Sequence, residues 1–244
     1  QNSDASGYGL NAASRARKIA TIRSFYKYLT NKVHLIKENP VKDLDSPKLK
    51  KTLPKYLTLE ESVQLLSSVD GQNRERDYCI LTLFLNCGLR ISELCALNTT
   101  DIQDDALRVL GKGNKVRIVY LNDACKEALN GYLAVRRPIV GRDQNALFLS
   151  SRNERVSRST VHALVKKHLS EAGLDSTQYS AHKLRHTAAT LMLQNGVDVK
   201  AVQEVLGHEH LNTTEIYTHI DNEALRVAAK ANPLSRVKPP KKNE

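Results

Sequence analysis

Apolar residues return along this chain at spacings that change from one stretch to the next. From about Asn11 to Thr30, Ile19, Ile22, Phe25, Tyr26 and Leu29 recur every three or four positions, with Arg15, Lys18, Arg23 and Lys27 between them. That rhythm predicts an amphipathic helix with a basic side. Almost nothing precedes this helix to cover its apolar stripe, and the chain opens on Gln1 rather than Met. Further N-terminal sequence is therefore expected in the whole protein. Helical spacing resumes near 59–69, 73–87, 91–96, 123–137, 157–172, 181–195 and 199–206. Thr58 with Glu61 three residues on has the form of a capping box. Gly207 stands where a helix-ending glycine belongs. Residues 107–110 and 116–120 are short strand patterns around Gly111-Lys112-Gly113-Asn114, a hairpin turn. Asn212 or Thr213 would cap a final short helix carrying Tyr217. The fold class that follows is mainly α with a small antiparallel sheet, an α+β arrangement.

Punctuation divides the chain. Residues 1–10 are rich in Ser, Gly and Asn and are expected to fray. Asn39-Pro40, Ser46-Pro47 and Leu53-Pro54, amid five lysines after Pro40, read as an extended basic linker. This gives a helical segment with its linker over 1–52, a main domain over 53–220 and a tail over 221–244. In the tail, Ala224, Leu225, Val227, Ala228 and Ala231 make an apolar helical stripe that Leu234 and Val237 extend. Such a stripe either folds back on its own domain or docks on a neighbour.

Composition narrows the class. A chain of 244 residues with 41% hydrophobic and 26% charged residues can bury one core, with or without a smaller module. No apolar run approaches the roughly 20 residues of a membrane helix, and no secretory signal leads the chain. Cys79, Cys87, Cys95 and Cys125 lack CxxC spacing and sit among apolar residues, which reads as buried, reduced thiols of a cytosolic protein. The net charge of +11 is uneven: residues 1–55 hold twelve Lys/Arg against four Asp/Glu. A basic segment beside a nearly neutral body is the electrostatic footprint of nucleic-acid binding, although a solvated basic linker would look the same.

Candidate chemistry is concentrated in a few short motifs. His182 and Arg185 are three apart in a helical stretch and share a face, so both can meet one phosphate. Arg90 follows the apolar run 80–85 and precedes Ile91 and Leu94; an arginine amid so much buried surface must be paired, for instance with Glu93, or held for a ligand. Lys112 lies in a glycine-flanked turn from which a long cation can swing toward a bound backbone, and Lys115 is a nearby competitor. Among nine tyrosines, Tyr217 alone follows a Gly-His pair with eight residues between, Gly207-His208 and then Tyr217. Two arginines, two histidines, a lysine and a tyrosine are sufficient to cut a phosphodiester without a metal. His208-Glu209-His210 is not HExxH, and ligands two residues apart would diverge, so a metal site is not expected. No Walker loop suggests nucleotide use.

Taken in order, Gly88-Leu89-Arg90-Ile91-Ser92-Glu93-Leu94, Gly111-Lys112-Gly113-Asn114-Lys115, His182-Lys183-Leu184-Arg185-His186, Leu206-Gly207-His208 and Tyr217 resemble the tyrosine recombinases of the phage-integrase family, particularly its Xer-type members. The resemblance runs from about Asn11 to His219. It implies a catalytic domain preceded by the last part of a helical core-binding domain, together clamping duplex DNA. Site-specific strand exchange through a 3′-phosphotyrosyl intermediate is the implied activity, in chromosome dimer resolution or in integration and excision of a mobile element. Its catalytic set would be Arg90, Lys112, His182, Arg185, His208 and Tyr217, with Lys112 as leaving-group acid, Tyr217 as nucleophile and Glu93 in support. No cofactor is implied, because one ester is exchanged for another. The implied partners are double-stranded DNA, three further copies in a homo-tetramer on synapsed sites with the tail reaching the next protomer, and an accessory DNA translocase or excision factor. No membrane is involved, and the implied place is the cytoplasm, at the bacterial nucleoid. A type IB topoisomerase would use the same chemistry. A non-catalytic DNA-binding regulator would need only the basic segment.

Overall fold

A computed structural model describes residues 10–48, 55–111, 113, 115–138, 143–207 and 222–240. The chain divides after Pro54 into two units.

The first unit is built on α1 (Ala12–Asn31), which the Asn11 side chain caps by accepting from the Ser14 amide. No residue of α1 is buried, and Ile22, Phe25 and Tyr28 are exposed. Arg23 ties α1 to the segment that follows by donating to the Leu44 carbonyl and the Ser46 hydroxyl.

The second unit packs around α3 (Arg74–Cys87), in which every residue from Arg76 to Cys87 is buried. A helix buried all round must lie inside a domain. α2 (Leu59–Ser67) precedes it, opened by the Thr58–Glu61 capping box with reciprocal bonds of 2.8 and 3.1 Å. α5 (Asp123–Val135) and α7 (Ala181–Gln194) flank α3. Phe84, Leu81, Ile80, Leu85 and Phe148 are almost fully enclosed; each such side chain contributes about 1.5–3 kcal/mol relative to exposure. α4 (Ile91–Ala96) and α6 (Arg158–Glu171) pack together at one side. The only sheet among the described residues is the antiparallel pair β1 (Ala106–Leu110) and β2 (Val116–Tyr120), with Arg117 opposite Val109. All four cysteines are free, three of them buried and Cys95 half-buried.

α8 (Val199–Leu206) starts at Asp198, whose carboxylate accepts from the Lys200 and Ala201 amides, and ends at Gly207 in the left-handed region. After the undescribed stretch 208–221, α9 (Asn222–Lys230) lies against α8, and Ala228 is buried with Val202, Val205, Leu206 and Met192. The tail then turns onto the main core. Leu234 is fully buried, and Asn232 donates to the Leu85 carbonyl at 3.0 Å. Asn122, which caps α5, donates to the Ala229 carbonyl at 3.1 Å and fixes the tail from the other side. The described part of the tail therefore rests on its own domain.

Candidate active site

Three helix ends meet at one point. α3 stops at Gly88, whose φ of 58° is the left-handed conformation glycine adopts without Cβ strain. A Cβ there would come within 2.3 Å of Leu206 Cδ2, so the tight turn also lets the end of α8 approach. Two residues later Arg90 occupies the N-cap position of α4, and its amide donates to Glu93 Oε2 at 2.8 Å. The C-terminal turn of α8 contributes the Leu206 and Gly207 carbonyls, which a helix end leaves without intrahelical partners.

Arginines fill those vacant acceptors. Arg185, reaching across from α7, donates to the carbonyls of Gly88 and Leu206, each at 2.6 Å. Arg90 donates to the Gly207 carbonyl at 3.0 Å and to Glu93 Oε1 at 2.7 Å. The ion pair with Glu93 that the sequence offered as an alternative to a ligand role is thus present, and it leaves the Arg90 side chain about one-third exposed. A third guanidinium, that of Arg117 on β2, grips both oxygens of Glu93 at 2.7 and 3.0 Å. Arg185 also approaches the same carboxylate, at 3.9 Å.

Three cations around one carboxylate leave a local surplus of positive charge. Burial alone would push the Glu93 carboxyl up. The hydrogen bonds and charge of Arg117, joined by those of Arg90, outweigh that, so its pKa lies below the ordinary carboxylate value. For Arg185 the balance runs the other way: burial first, then the charge of Arg90, pull its pKa down to about 10, against the opposing pull of Glu93. It remains charged at neutral pH, in an environment that would favour an arriving anion.

The six expected site residues are placed unevenly. Arg90 and Arg185 come together on Glu93 and on the adjacent carbonyls of α8. His182 is exposed one turn before Arg185 on α7, its ring edge-on to His186 with centroids 4.7 Å apart. Burial, then the charges of His182 and Lys183, lower the pKa of His186. Lys112, His208 and Tyr217 lie outside the described residues. Their chain neighbours are placed: Gly111 faces Arg117 Nη1 and Glu93 Oε1, where a Cβ would stand 3.7 and 3.9 Å away, and Gly207 lies under the Arg117 guanidinium. Arg117 was not among the sequence candidates. Its only signal there was a charge inside the strand pattern Val116-Arg117-Ile118-Val119, and an outward-facing arginine on a half-exposed strand is ordinary. Among the described residues no group of three or more His, Cys, Asp or Glu side chains could hold a metal ion.

Comparison with known proteins gives this geometry a family. Residues 55–224 match the model of the phage integrase family. The tyrosine recombinase XerC of Caldanaerobacter subterraneus subsp. tengcongensis is 56% identical over 224 residues, which is 91% of this chain and 64% of that protein. The tyrosine recombinase XerD of Proteus mirabilis is 40% identical over 225 residues, 90% of this chain and 72% of its own. Among solved structures, the XerH site-specific recombinase bound to its difH substrate superposes with a TM-score of 0.66 at 28% identity, covering 91% of this chain and 66% of that one. The XerA recombinase gives a TM-score of 0.59 at 30% identity, with coverages of 85% and 80%. The mostly helical unit with its small antiparallel sheet is accordingly a tyrosine-recombinase catalytic fold, and the chain belongs to the phage integrase family.

Proposed function

We propose that this chain is a site-specific DNA recombinase that cleaves and rejoins strands through a covalent phosphotyrosine. The observation that carries the reading is the cluster of Arg90, Arg117 and Arg185 around Glu93, a buried cationic surplus at the turn that leads into His208 and Tyr217. A phosphodiester supplies the missing negative charge, and more of it develops in the pentacoordinate transition state, where fixed donors act most strongly. The Tyr217 hydroxyl oxygen attacks phosphorus, the bond to the 5′-oxygen breaks, and a 3′-phosphotyrosyl ester remains. Lys112 gives a proton to the departing 5′-oxygen. His182 and His208 hold phosphate oxygens and move the proton of a phenol whose ordinary pKa is ~10. Attack by a partner strand's 5′-hydroxyl reverses the step on a new strand, and no cofactor enters.

The DNA-bound state of XerH supports duplex DNA as the partner. The excess of basic residues over 1–55 supports a second grip on its backbone. Assembly as a homo-tetramer on two synapsed sites belongs to the proposal, as does action in the cytoplasm at the nucleoid, with or without an accessory translocase or excision factor. Docking of the 221–244 tail on a neighbouring subunit would then exchange the Asn232–Leu85 bond and the Leu234 contacts between identical chains.

The test is covalent capture from a nicked, randomised duplex library, with Tyr217→Phe as control. A protein–DNA adduct that resists denaturant, survives chelator and disappears in Tyr217→Phe is expected. DNA retained without any adduct would overturn the enzymatic reading in favour of a regulator. Relaxation of supercoils at single sites, without exchange between paired ones, would favour a topoisomerase.

A further inference from the structure

Arg117 has no step of its own in that scheme, yet it is the arginine that grips both oxygens of Glu93. Both of its terminal nitrogens are engaged by Glu93, and its side chain is only 16% exposed. The guanidinium plane lies on Gly207: a Cβ on that residue would sit 3.0 Å from Arg117 Cδ and Nε and 3.1 Å from Cζ. Its own strand leads back to the hairpin turn, where Gly111 donates to the Lys115 carbonyl at 2.8 Å and faces both Arg117 and Glu93. One planar side chain thus grips the carboxylate that holds Arg90 and lies close to Gly207 and on the side that Gly111 faces.

We propose that Arg117 is a positioning residue for strand cleavage, fixing Glu93 so that Arg90 points at the phosphate. The inference rests on the recombinase reading of the site. The geometry requires an arginine: two parallel N–H donors match both carboxylate oxygens, and the flat face tolerates the approach of Gly207, whereas an ammonium would supply only a point charge. Arg117 is placed to act through Glu93: both of its terminal nitrogens go to the two oxygens of that one carboxylate, whereas Arg185 gives its own to backbone carbonyls and Arg90 divides its pair between Glu93 and Gly207.

This predicts an unusual pH response. The charged groups that face Glu93 are Arg90 at the start of its own helix, Arg117 from β2 and Arg185 from α7. Burial pushes the carboxyl up, and Arg117 is foremost among the groups that pull it down. In the native site Glu93 therefore stays ionised as pH falls below its ordinary range, and Arg90 stays held. Without Arg117 the carboxyl protonates at a higher pH and releases Arg90.

The experiment measures single-turnover cleavage against pH for the wild-type chain, Arg117→Gln, Arg117→Lys, Glu93→Gln and the Arg117→Gln/Glu93→Gln double variant, on the duplex recovered by covalent capture. DNA affinity and melting temperature are measured in parallel. Loss of charged hydrogen bonds of this kind predicts cleavage lowered roughly 10–100-fold at neutral pH, with DNA affinity unchanged. The acid limb in Arg117→Gln should move to higher pH, and that moved limb should vanish in the double variant. Arg117→Lys should restore the wild-type limb in part and the rate less. A wild-type protein that forms no adduct removes the recombinase reading itself. A wild-type adduct with an unmoved acid limb, or with affinity falling as much as rate, overturns the positioning role and leaves Arg117 structural or a DNA contact.

Discussion

The two ends of α3 each carry a cluster of buried charge, and the clusters differ in how their charges balance. At the N-terminal end Arg76 bonds Asp77 through Nε at 2.8 Å and Nη2 at 2.7 Å, and gives Nη1 to the Leu149 carbonyl at 2.8 Å. The second oxygen of Asp77 meets His168 Nε2 at 3.1 Å, and His168 Nδ1 lies 2.8 Å from Glu171. Arg76 there, the one group of fixed positive charge, faces a carboxylate of its own. At the C-terminal end three arginines share one carboxylate, and the remaining donors of Arg90 and Arg185 end on backbone carbonyls of Gly88, Leu206 and Gly207. The first arrangement sets one arginine against one buried aspartate and holds α3 to α6 and the Leu149 segment. The second is stable only because helix ends offer acceptors that need no countercharge, and it keeps a positive surplus for an anion. Stoichiometry, more than burial or bond length, separates a structural cluster from a chemical one.

Substitutions at matched positions can break that contrast. The largest effect is expected from Arg76→Ala, which leaves Asp77 buried with His168 alone. Removing one partner of a buried pair costs about 3–5 kcal/mol, so urea denaturation should show a large loss while cleavage by the folded fraction is retained. Arg185→Ala should do the reverse. Cleavage should fall roughly 100–1,000-fold, as when a fixed donor to a developing charge is lost, with less loss of stability than Arg76→Ala because crowding of like charge is relieved. If Arg76→Ala lost cleavage while remaining fully stable, the distinction between the clusters would be gone.

A smaller effect tests the turn at the C-terminal end of α3. Gly88→Ala forces a side chain onto a positive φ and drives its Cβ into Leu206. Overpacking of this kind costs about 1–3 kcal/mol. Because the Gly88 carbonyl also receives Arg185, cleavage should fall more steeply than stability alone accounts for. Thermal melting and single-turnover assays on the same preparation would show this, and a rate that merely tracks the folded fraction would limit the glycine to packing.

The sequence made Arg90 and Arg185 legible and left the third arginine hidden. Arg90 follows an apolar run, where a buried charge announces itself by the cost of leaving it unpaired, and Arg185 was marked by its three-residue spacing from His182 on one helix face. The helix boundaries were legible for related reasons: Thr58 with Glu61 and Gly207 are local signals, and they lie where helices start or stop. Arg117 gives no such signal, since strand alternation says only that it turns away from Val116 and Ile118. Its role arises from Glu93 and Gly207, which lie far from it in the chain. The tail was ambiguous for the same reason. An apolar stripe records that Leu234 needs cover but not which surface supplies it; in this structure that cover includes α2, α3 and α5 of the same chain.

The smallest expected effect isolates the surplus itself. Inorganic phosphate offers the charge of the expected ligand without its bases or sugar, so it should bind near Arg90 and Arg185 and leave the Arg76 cluster alone. An anion that binds only the folded protein raises stability by roughly 1 kcal/mol when present at a few times its dissociation constant. Phosphate also strengthens burial in any protein by exclusion from its surface, so a rise in melting temperature alone decides nothing. The informative quantity is the difference between variants at matched ionic strength in chloride. Wild type and Arg76→Ala should gain the same increment from phosphate, Arg185→Ala should gain only the exclusion effect, and Glu93→Gln should gain the most, since it removes the single negative charge among three guanidiniums. As pH falls through the low pKa of Glu93, the wild-type increment should grow toward that of Glu93→Gln, because protonation and substitution remove the same charge. An increment equal in all four proteins would mean that the arginines are satisfied by their carbonyls and that the site holds no charge in reserve.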